Sequence, residues 1–306
     1  MSDPVLPPLR ALLAELMRIP GLAGHEERVA AAIAGHLDRL GLEHRSDRLG
    51  NLMTTLPGDP ELPSVMVFAH MDQMGFLVRK VEADGRIRLE RQGGVPERAL
   101  AAQAVVLCTG SGDLPGVLGI KSHHATTPEE KVRVVPYGEL AVDAGFASKE
   151  EAEAAGVTIG TPVTYAPRVH ELANGRIAGT AIDDRAGCAL LLALAEARRG
   201  STGPTTHLVW SVQEEHNLRG VLPAATALAP DIAIAVDLML ACDTPEMASR
   251  GDLHLGGGPA MSLFSFHGRG TLNGVIPHPA LVRLVEDAAA GAGLPLQRSV
   301  HVGALT

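Results

Sequence analysis

SVMVFAHMD, residues 64–72, is the stretch on which the fold turns. Residues 64–69 form a short apolar run after Pro63 and read as a buried strand that ends at His70-Met71-Asp72. Upstream, residues 7–18 (PPLRALLAELMR) and 26–40 (EERVAAAIAGHLDRL) carry apolar positions at helical spacing, and Gly41 stands where a helix C-cap belongs. Downstream, from Met74 to Arg168, the texture changes. Short alternating runs such as FLVRKV and RIRLE are separated by Asp84-Gly85 and Gly93-Gly94, which are hairpin signals, and one acidic helix is expected near residues 148–155. After Gly179 helices and strands alternate again, with helices over 183–199, 218–229 and 279–290 and strands over 206–213, 231–237 and 299–302. Such alternation predicts an α/β fold with a mostly parallel sheet and helices on both faces. The expected organisation is an α/β domain of residues 1–73 and 169–306, interrupted by a β-rich, barrel-like insertion over 74–168.

The 306 residues are 46% apolar and 20% charged, enough to bury a sizeable core and to exclude a disordered chain. A formal net charge of −9 argues against nucleic acid as the main partner, because phosphate binding needs a basic face. Apolar stretches such as residues 188–195 fall far short of the ~20 residues of a membrane span. Asp3 and four prolines in the first twenty residues do not make a signal-peptide pattern. Cys108, Cys188 and Cys242 lie far apart, and an odd, sparse set of thiols points to a reducing compartment. The expectation is a soluble, cytoplasmic protein with neither a membrane nor a nucleic-acid partner.

Sites in open α/β sheets form beyond the carboxyl ends of strands, and polar groups collect at those ends here. The first strand ends in His70-Met71-Asp72, Asp183-Asp184-Arg185 opens a helix, residues 206–213 lead into Glu214-Glu215-His216, and residues 231–236 lead into Asp237. Histidine with several carboxylates is ligand chemistry for zinc and similar divalent ions. In a His-x-Asp pair the aspartate can hold the imidazole and fix its tautomer. An adjacent Glu-Glu pair gives one carboxylate to a metal and leaves the other for proton transfer. Taken singly each group has a plainer reading: His70 as a structural histidine, Asp183 and Asp184 as a helix cap, Glu214 and Glu215 as a solvated pair, Asp237 as a turn residue. The convergence of all of them on one sheet edge favours a metal site.

Other motifs contribute little. The sequence has no HExxH, GxSxG or P-loop, and Gly268-Arg269-Gly270 departs from GxGxxG because Asn273 takes the last position. His123-His124 reads as a surface loop and Gly256-Gly257-Gly258 as a turn.

GHEERV (24–29), DRLGN (47–51), AHMDQMGF (69–76), AIDDRAGCALLL (181–192), VQEEHNLRG (212–220) and AIAVD (233–237) occur in this order. The chain thereby resembles the M42 family of dinuclear metallo-aminopeptidases, the glutamyl and tetrahedral aminopeptidase group, over essentially its whole length. The resemblance implies that His70 binds a first metal and Asp72 orients it, that Asp183 bridges two metals with Asp184 in the constrained peptide that follows, and that Asp237 binds the first metal. It implies Glu215 as a ligand of the second metal and Glu214 as general base. It further implies two divalent ions per subunit, zinc or cobalt, and removal of N-terminal residues from peptides with a free N-terminus. The insertion would be a dimerisation barrel, and the assembly a homo-oligomer of dimers, typically a tetrahedral dodecamer.

One departure concerns the family's last ligand, a histidine beyond a GTD-like segment that here reads Gly303-Ala304-Leu305-Thr306, where the sequence stops. By the carry-over the second metal keeps Asp183 and Glu215, and His267, His278 and His301 do not match the ligand segment. The incomplete second set leaves a catalytically weak peptide-binding subunit as one alternative; among enzymes the other is a related dinuclear deacylase acting on N-acyl substrates.

Overall fold

Apolar spacing of three and four in the first forty residues becomes two helices, α1 (Leu9–Leu16) and α2 (Glu27–Arg39). The computed structural model describes residues 5–266 and 274–302, without the side chains of His301 and Val302. His267, residues 268–270, Asn273 and residues 303–306 therefore lie outside the described residues. After the helices come β1 (His44–Ser46), β2 (Leu52–Leu56) and β3 (Val65–His70). Strands β4 (Gly75–Val81), β5 (Ile87–Gln92), β6 (Ala104–Thr109), β7 (Gly112–Gly119) and β8 (Ala141–Asp143) follow, then α3 (Lys149–Ala154) and β9 (Pro162–Tyr165). The chain continues through β10 (Val169–Glu171), β11 (Ile177–Gly179), α4 (Ile182–Arg198), β12 (Thr206–Ser211), α5 (Val221–Leu228) and β13 (Ile232–Ala235). Contacts divide the chain into two compact units, Met1–Val236 and Asp237–Thr306.

The main sheet of the first unit runs β1-β2-β12-β3-β13 and is mixed. β1–β2 and β2–β12 are antiparallel, whereas β12–β3 and β3–β13 are parallel. The expectation of a mostly parallel sheet is thus corrected. A parallel pair needs a crossover of a dozen or more residues, and the short links β1–β2 and β2–β3 carry no helix. The helices α4 and α5 precede and follow β12, so only β3, β12 and β13 run parallel.

Alternation along the strands sorts the core. Leu52, Leu56, Val67, Ala69, Leu208 and Trp210 face one side and pack with buried residues of α1, α2 and α4. Met53, Met66 and Val209 face the other and pack with Ala224 of α5. Each such fully buried large side chain contributes about 1.5–3 kcal/mol.

Strands β4 to β9 close into a barrel in the order β4-β5-β8-β7-β6-β9, around a core that includes Phe76, Val78, Ile87, Leu107, Val142 and Val163. The Asp84-Gly85 turn joins β4 to β5 as the sequence predicts. Gly85 has φ +81°, and a Cβ there would lie 2.4 Å from the Phe146 carbonyl oxygen. Gly93-Gly94 does not make a hairpin: β5 pairs with β4 and β8, and the chain passes through a short 3-10 turn at Glu97–Ala99 before β6. His123 and His124 are exposed in another such turn, in keeping with a surface loop.

In the second unit β14 (Ala260–Phe266) pairs antiparallel with β15 (Gly274–Val275) and, across α6 (Pro279–Gly291), parallel with β16 (Gln297–Val302). His278 caps α6, its Nδ1 accepting the Ala280 amide at 3.1 Å. Among the described residues no helix is long and apolar enough to cross a membrane.

Candidate active site

The parallel strands end together. His70 closes β3 in register with Ser211, which closes β12, and the Met71 amide donates to the Ser211 carbonyl at 2.7 Å. Val236, just past β13, donates its amide to the Phe68 carbonyl at 2.8 Å, so Asp237 comes next on the chain at the end of this strand. The first turn of α4 brings Asp183. One ligand atom each of His70, Asp183 and Asp237 lie within 4.8 Å of one another.

His70 is buried, and its two ring nitrogens face different groups. Nδ1 lies 3.2 Å from the Asp72 carbonyl oxygen and 3.4 Å from Asp72 Oδ1. Nε2 lies 3.0 Å from Asp183 Oδ1 and 3.8 Å from Glu214 Oε2. Burial disfavours a charged imidazole, but the hydrogen bonds to Asp183 and Asp72 and the carboxylates of Asp72 and Glu214 outweigh it and hold the His70 pKa well above its ordinary value. Asp72 is fully buried, which raises its pKa, yet the His70 imidazole and the amides of Glu214 and Glu215 bring it below the usual range.

The residues before the helix are shaped for this position. Asp183 and Asp184 lie within the first turn of α4 with non-helical dihedrals, and the peptide between them is cis. The buried Asp184 accepts the His70 amide on Oδ2 at 3.2 Å and the Gly187 amide on Oδ1 at 2.9 Å. A Cβ at position 187 would stand 2.5 Å from the Asp184 carboxylate, which is why a glycine sits there. Arg185, also buried, donates to the carbonyls of Met71 and Ile19 and to Gln73 Oε1, tying down the loop that follows β3.

Glu214 and Glu215 stand in a 3-10 turn, Glu214–His216, directly after β12. Its flanks are left-handed at non-glycine residues, with φ +56° at Gln213, +69° at Asn217 and +54° at Leu218. Such backbone costs about 1–3 kcal/mol per residue and persists where its surroundings over-determine it. It also delays the helix expected from 218, which starts at Val221. Glu215 is not part of the three-residue group. Its Oε2 would be 3.4 Å from a Cβ placed at Gly93, and burial, followed by the charges of Asp183, Glu214 and Asp72 against that of His70, raises its pKa to about 8.

Two further side chains, Glu26 and Asn51, hold this turn, and Asp47 braces Asn51. They lie in the GHEERV and DRLGN stretches, and nothing in the sequence alone assigns them a task. Glu26 stands at the N-cap of α2, yet its side chain makes no cap bond and accepts the Gln213 amide instead. Burial pushes its carboxyl up to about 7.

In the second unit, Asp237 lines a cavity of about 200 Å³ with Leu238, His254, Leu255, Gly258 and Gln297. The glycine run turns here as expected, with φ +85° at Gly256 and +94° at Gly258.

A His–Asp–Asp group beside a half-buried glutamate fits a divalent ion by donor chemistry, since imidazole nitrogen and carboxylate oxygen suit zinc and its neighbours. The chain is 37% identical over 296 residues to the Escherichia coli (strain K12) protein SgcX, covering 96% of this chain and 79% of SgcX. It is 32% identical over 290 residues to the lysyl aminopeptidase of Pyrococcus furiosus, covering 94% and 79%. The solved structure of the Pyrococcus horikoshii TET1 peptidase, described as able to assemble into a tetrahedron or a large octahedral shell, superposes with a TM-score of 0.85 at 28% identity, over 97% of this chain and 86% of that one. Residues 50–306 match the family pattern described as M42 glutamyl aminopeptidase, and they include every metal and acid–base candidate above, so the chain belongs to the M42 family of aminopeptidases.

Proposed function

We propose that this protein is a metal-dependent aminopeptidase that hydrolyses N-terminal residues from peptides, with Glu214 as general base. The observation that carries this reading is the placement of His70 Nε2 3.0 Å from Asp183 Oδ1 and 3.8 Å from Glu214 Oε2, at the shared ends of parallel strands. His70, Asp183 and Asp237 would hold one divalent ion, and Asp183 with Glu215 a second; imidazole and carboxylate donors suit such ions, and the resemblance to the M42 family implies zinc or cobalt. When bound, the ions supply Lewis acidity toward a carbonyl and toward water. Glu214 accepts the proton of the attacking water and returns it to the leaving amine, so that the nitrogen departs neutral. Asp72 orients the His70 ring through Nδ1. The free amine of the substrate belongs on the Glu215 side of the site, which gives exopeptidase selectivity.

Residues 1–73 and 169–306 form the catalytic domain in this reading, and residues 74–168 the dimerisation insertion. Assembly of copies into dimers and a dodecamer belongs to this reading; the TET1 peptidase, described as assembling into a tetrahedron or a large octahedral shell, supports self-association, and the sparse cysteines support a cytoplasmic location. The test is release of N-terminal residues from unblocked peptides after zinc or cobalt loading. Glu214→Gln should lower kcat by about 10²–10⁴-fold with metal content retained. An unchanged rate would remove Glu214 from the base role. Cleavage confined to N-acetyl substrates would make the protein a deacylase, and binding without turnover a peptide-binding subunit.

A further inference from the structure

The Glu214–Glu215 turn is held by side chains from three distant stretches of sequence. Four consecutive amides donate to them: Val212 to Asn51 Oδ1 at 3.0 Å, Gln213 to Glu26 Oε1 at 3.0 Å, Glu214 to Asp72 Oδ1 at 2.9 Å and Glu215 to Asp72 Oδ2 at 3.0 Å. Asp72 also faces the His70 ring, so one carboxylate sets both the imidazole and the two glutamates. The other two anchors touch none of the reacting groups.

Asn51 is fully buried, and its Nδ2 donates to the Gly220 carbonyl at 2.8 Å and to Asp47 Oδ2 at 2.6 Å. One amide side chain thus ties together both ends of the 212–220 loop. Asp47 Oδ1 in turn accepts the amides of Leu49, Gly50 and Asn51 at 2.9–3.0 Å, fixing the backbone from which Asn51 reaches. Gly220 permits the approach, since a Cβ there would lie 2.1 Å from the Val212 carbonyl oxygen. Glu26 is 5% exposed and uses a single oxygen, Oε1, for the amides of both Gly24 and Gln213. A neutral carboxyl or a glutamine offers the same acceptor.

We propose that Glu26 and Asn51 are positioning residues for the hydrolysis: by accepting the Gln213 and Val212 amides they fix the left-handed turn that sets Glu214 and Glu215 against His70. The proposal rests on the reading of Glu214 as base. Its chemical content is reach rather than charge, because a displacement of about 1 Å in such a group costs on the order of 10²-fold in rate.

The experiment uses the full chain loaded with zinc or cobalt and the series E26Q, E26D and E26A, with N51A as a companion. Steady-state kinetics on an unblocked peptide are read beside amide hydrogen exchange over residues 212–218 and thermal unfolding. E26Q keeps the acceptor at full length and should stay within about threefold of wild type. E26D withdraws it by one carbon–carbon bond, about 1.5 Å, and E26A removes it. Both should lower kcat by about 10–100-fold, leave KM within about twofold, and speed exchange at 212–215 in a protein that still unfolds cooperatively. A merely structural glutamate would shift the melting temperature and leave kcat per folded molecule unchanged, and that result overturns the proposal. So does a loss in E26Q as large as in E26A, which would assign the effect to charge. If wild type releases no N-terminal residue, the aminopeptidase reading fails, and exchange alone decides whether Glu26 holds the turn. Unaltered exchange in E26A overturns that too.

Discussion

Asp72 shows why individual residues were only half legible. The His-x-Asp spacing pointed to a carboxylate behind the imidazole, and Asp72 Oδ1 does lie 3.4 Å from His70 Nδ1. Both its oxygens also accept the amides of Glu214 and Glu215, a link across more than a hundred residues that no local pattern announces. Glu26 hid more completely, because an acidic residue at a helix start already has an ordinary explanation. Its environment makes a testable difference to pH behaviour. The carboxyl pKa rises from 4.5 to about 7, through burial first and the Asp72 charge as a further contribution. The native state therefore binds the proton more tightly than the unfolded chain does. The stabilisation is complete below about pH 4.5 and is lost as pH rises through about 7. In metal-free protein, denaturant unfolding of wild type should lose stability relative to E26Q across that window, by on the order of 2–3 kcal/mol. A difference that stays constant with pH would mean that Glu26 ionises freely in the fold.

At the scale of elements, period-two and period-four patterns located most helices and strands to within a few residues, because each buries one face. Strand direction was not legible in the same way. The signals for β1 and β2 do not say that short links force antiparallel pairing, so the alternation predicts a mostly parallel sheet where the fold has a mixed one. The site is unaffected, since β3, β12 and β13, which end in the candidate groups, are the strands that do run parallel. The start of α4 also escaped the helical pattern. Asp183 and Asp184 depart from helical dihedrals, and Asp184 folds back to accept the Gly187 amide. That closeness makes Gly187→Ala a probe of the element. Its methyl would meet the Asp184 carboxylate at 2.5 Å and push it from the His70 amide. Overpacking of this kind should cost about 1–3 kcal/mol in denaturant unfolding, with weaker zinc binding by competition titration. Wild-type values for both would show that the first turn has room to adjust.

For the whole molecule, the change in texture at Met74 marked where a barrel begins, because alternating short strands bury their inner faces only by closing on one another. What surrounds the barrel was not readable from patterning, and the proposed assembly rests on the TET1 likeness together with apolar side chains left outside. Val132 is 87% exposed and Ile159 78%, both within the 74–168 stretch. If copies associate there, Val132→Glu should reduce the molar mass measured by light scattering on a sizing column, while the monomer's far-ultraviolet spectrum stays the same. A mass identical to wild type would move the interface elsewhere.

The barrel's closure carries one more consequence. Phe76 pairs with Val163, so the strand on which the chain goes in neighbours the strand on which it comes out. Adjacent strands are about 4.8 Å apart, and the barrel packs its own apolar cluster, distinct from that under the main sheet. In protein-engineering terms the barrel is a cassette plugged into a single slot. Lineages could lengthen, trim or exchange it while inheriting the hydrolytic framework intact, and a designer could graft a different module at the same two neighbouring ends.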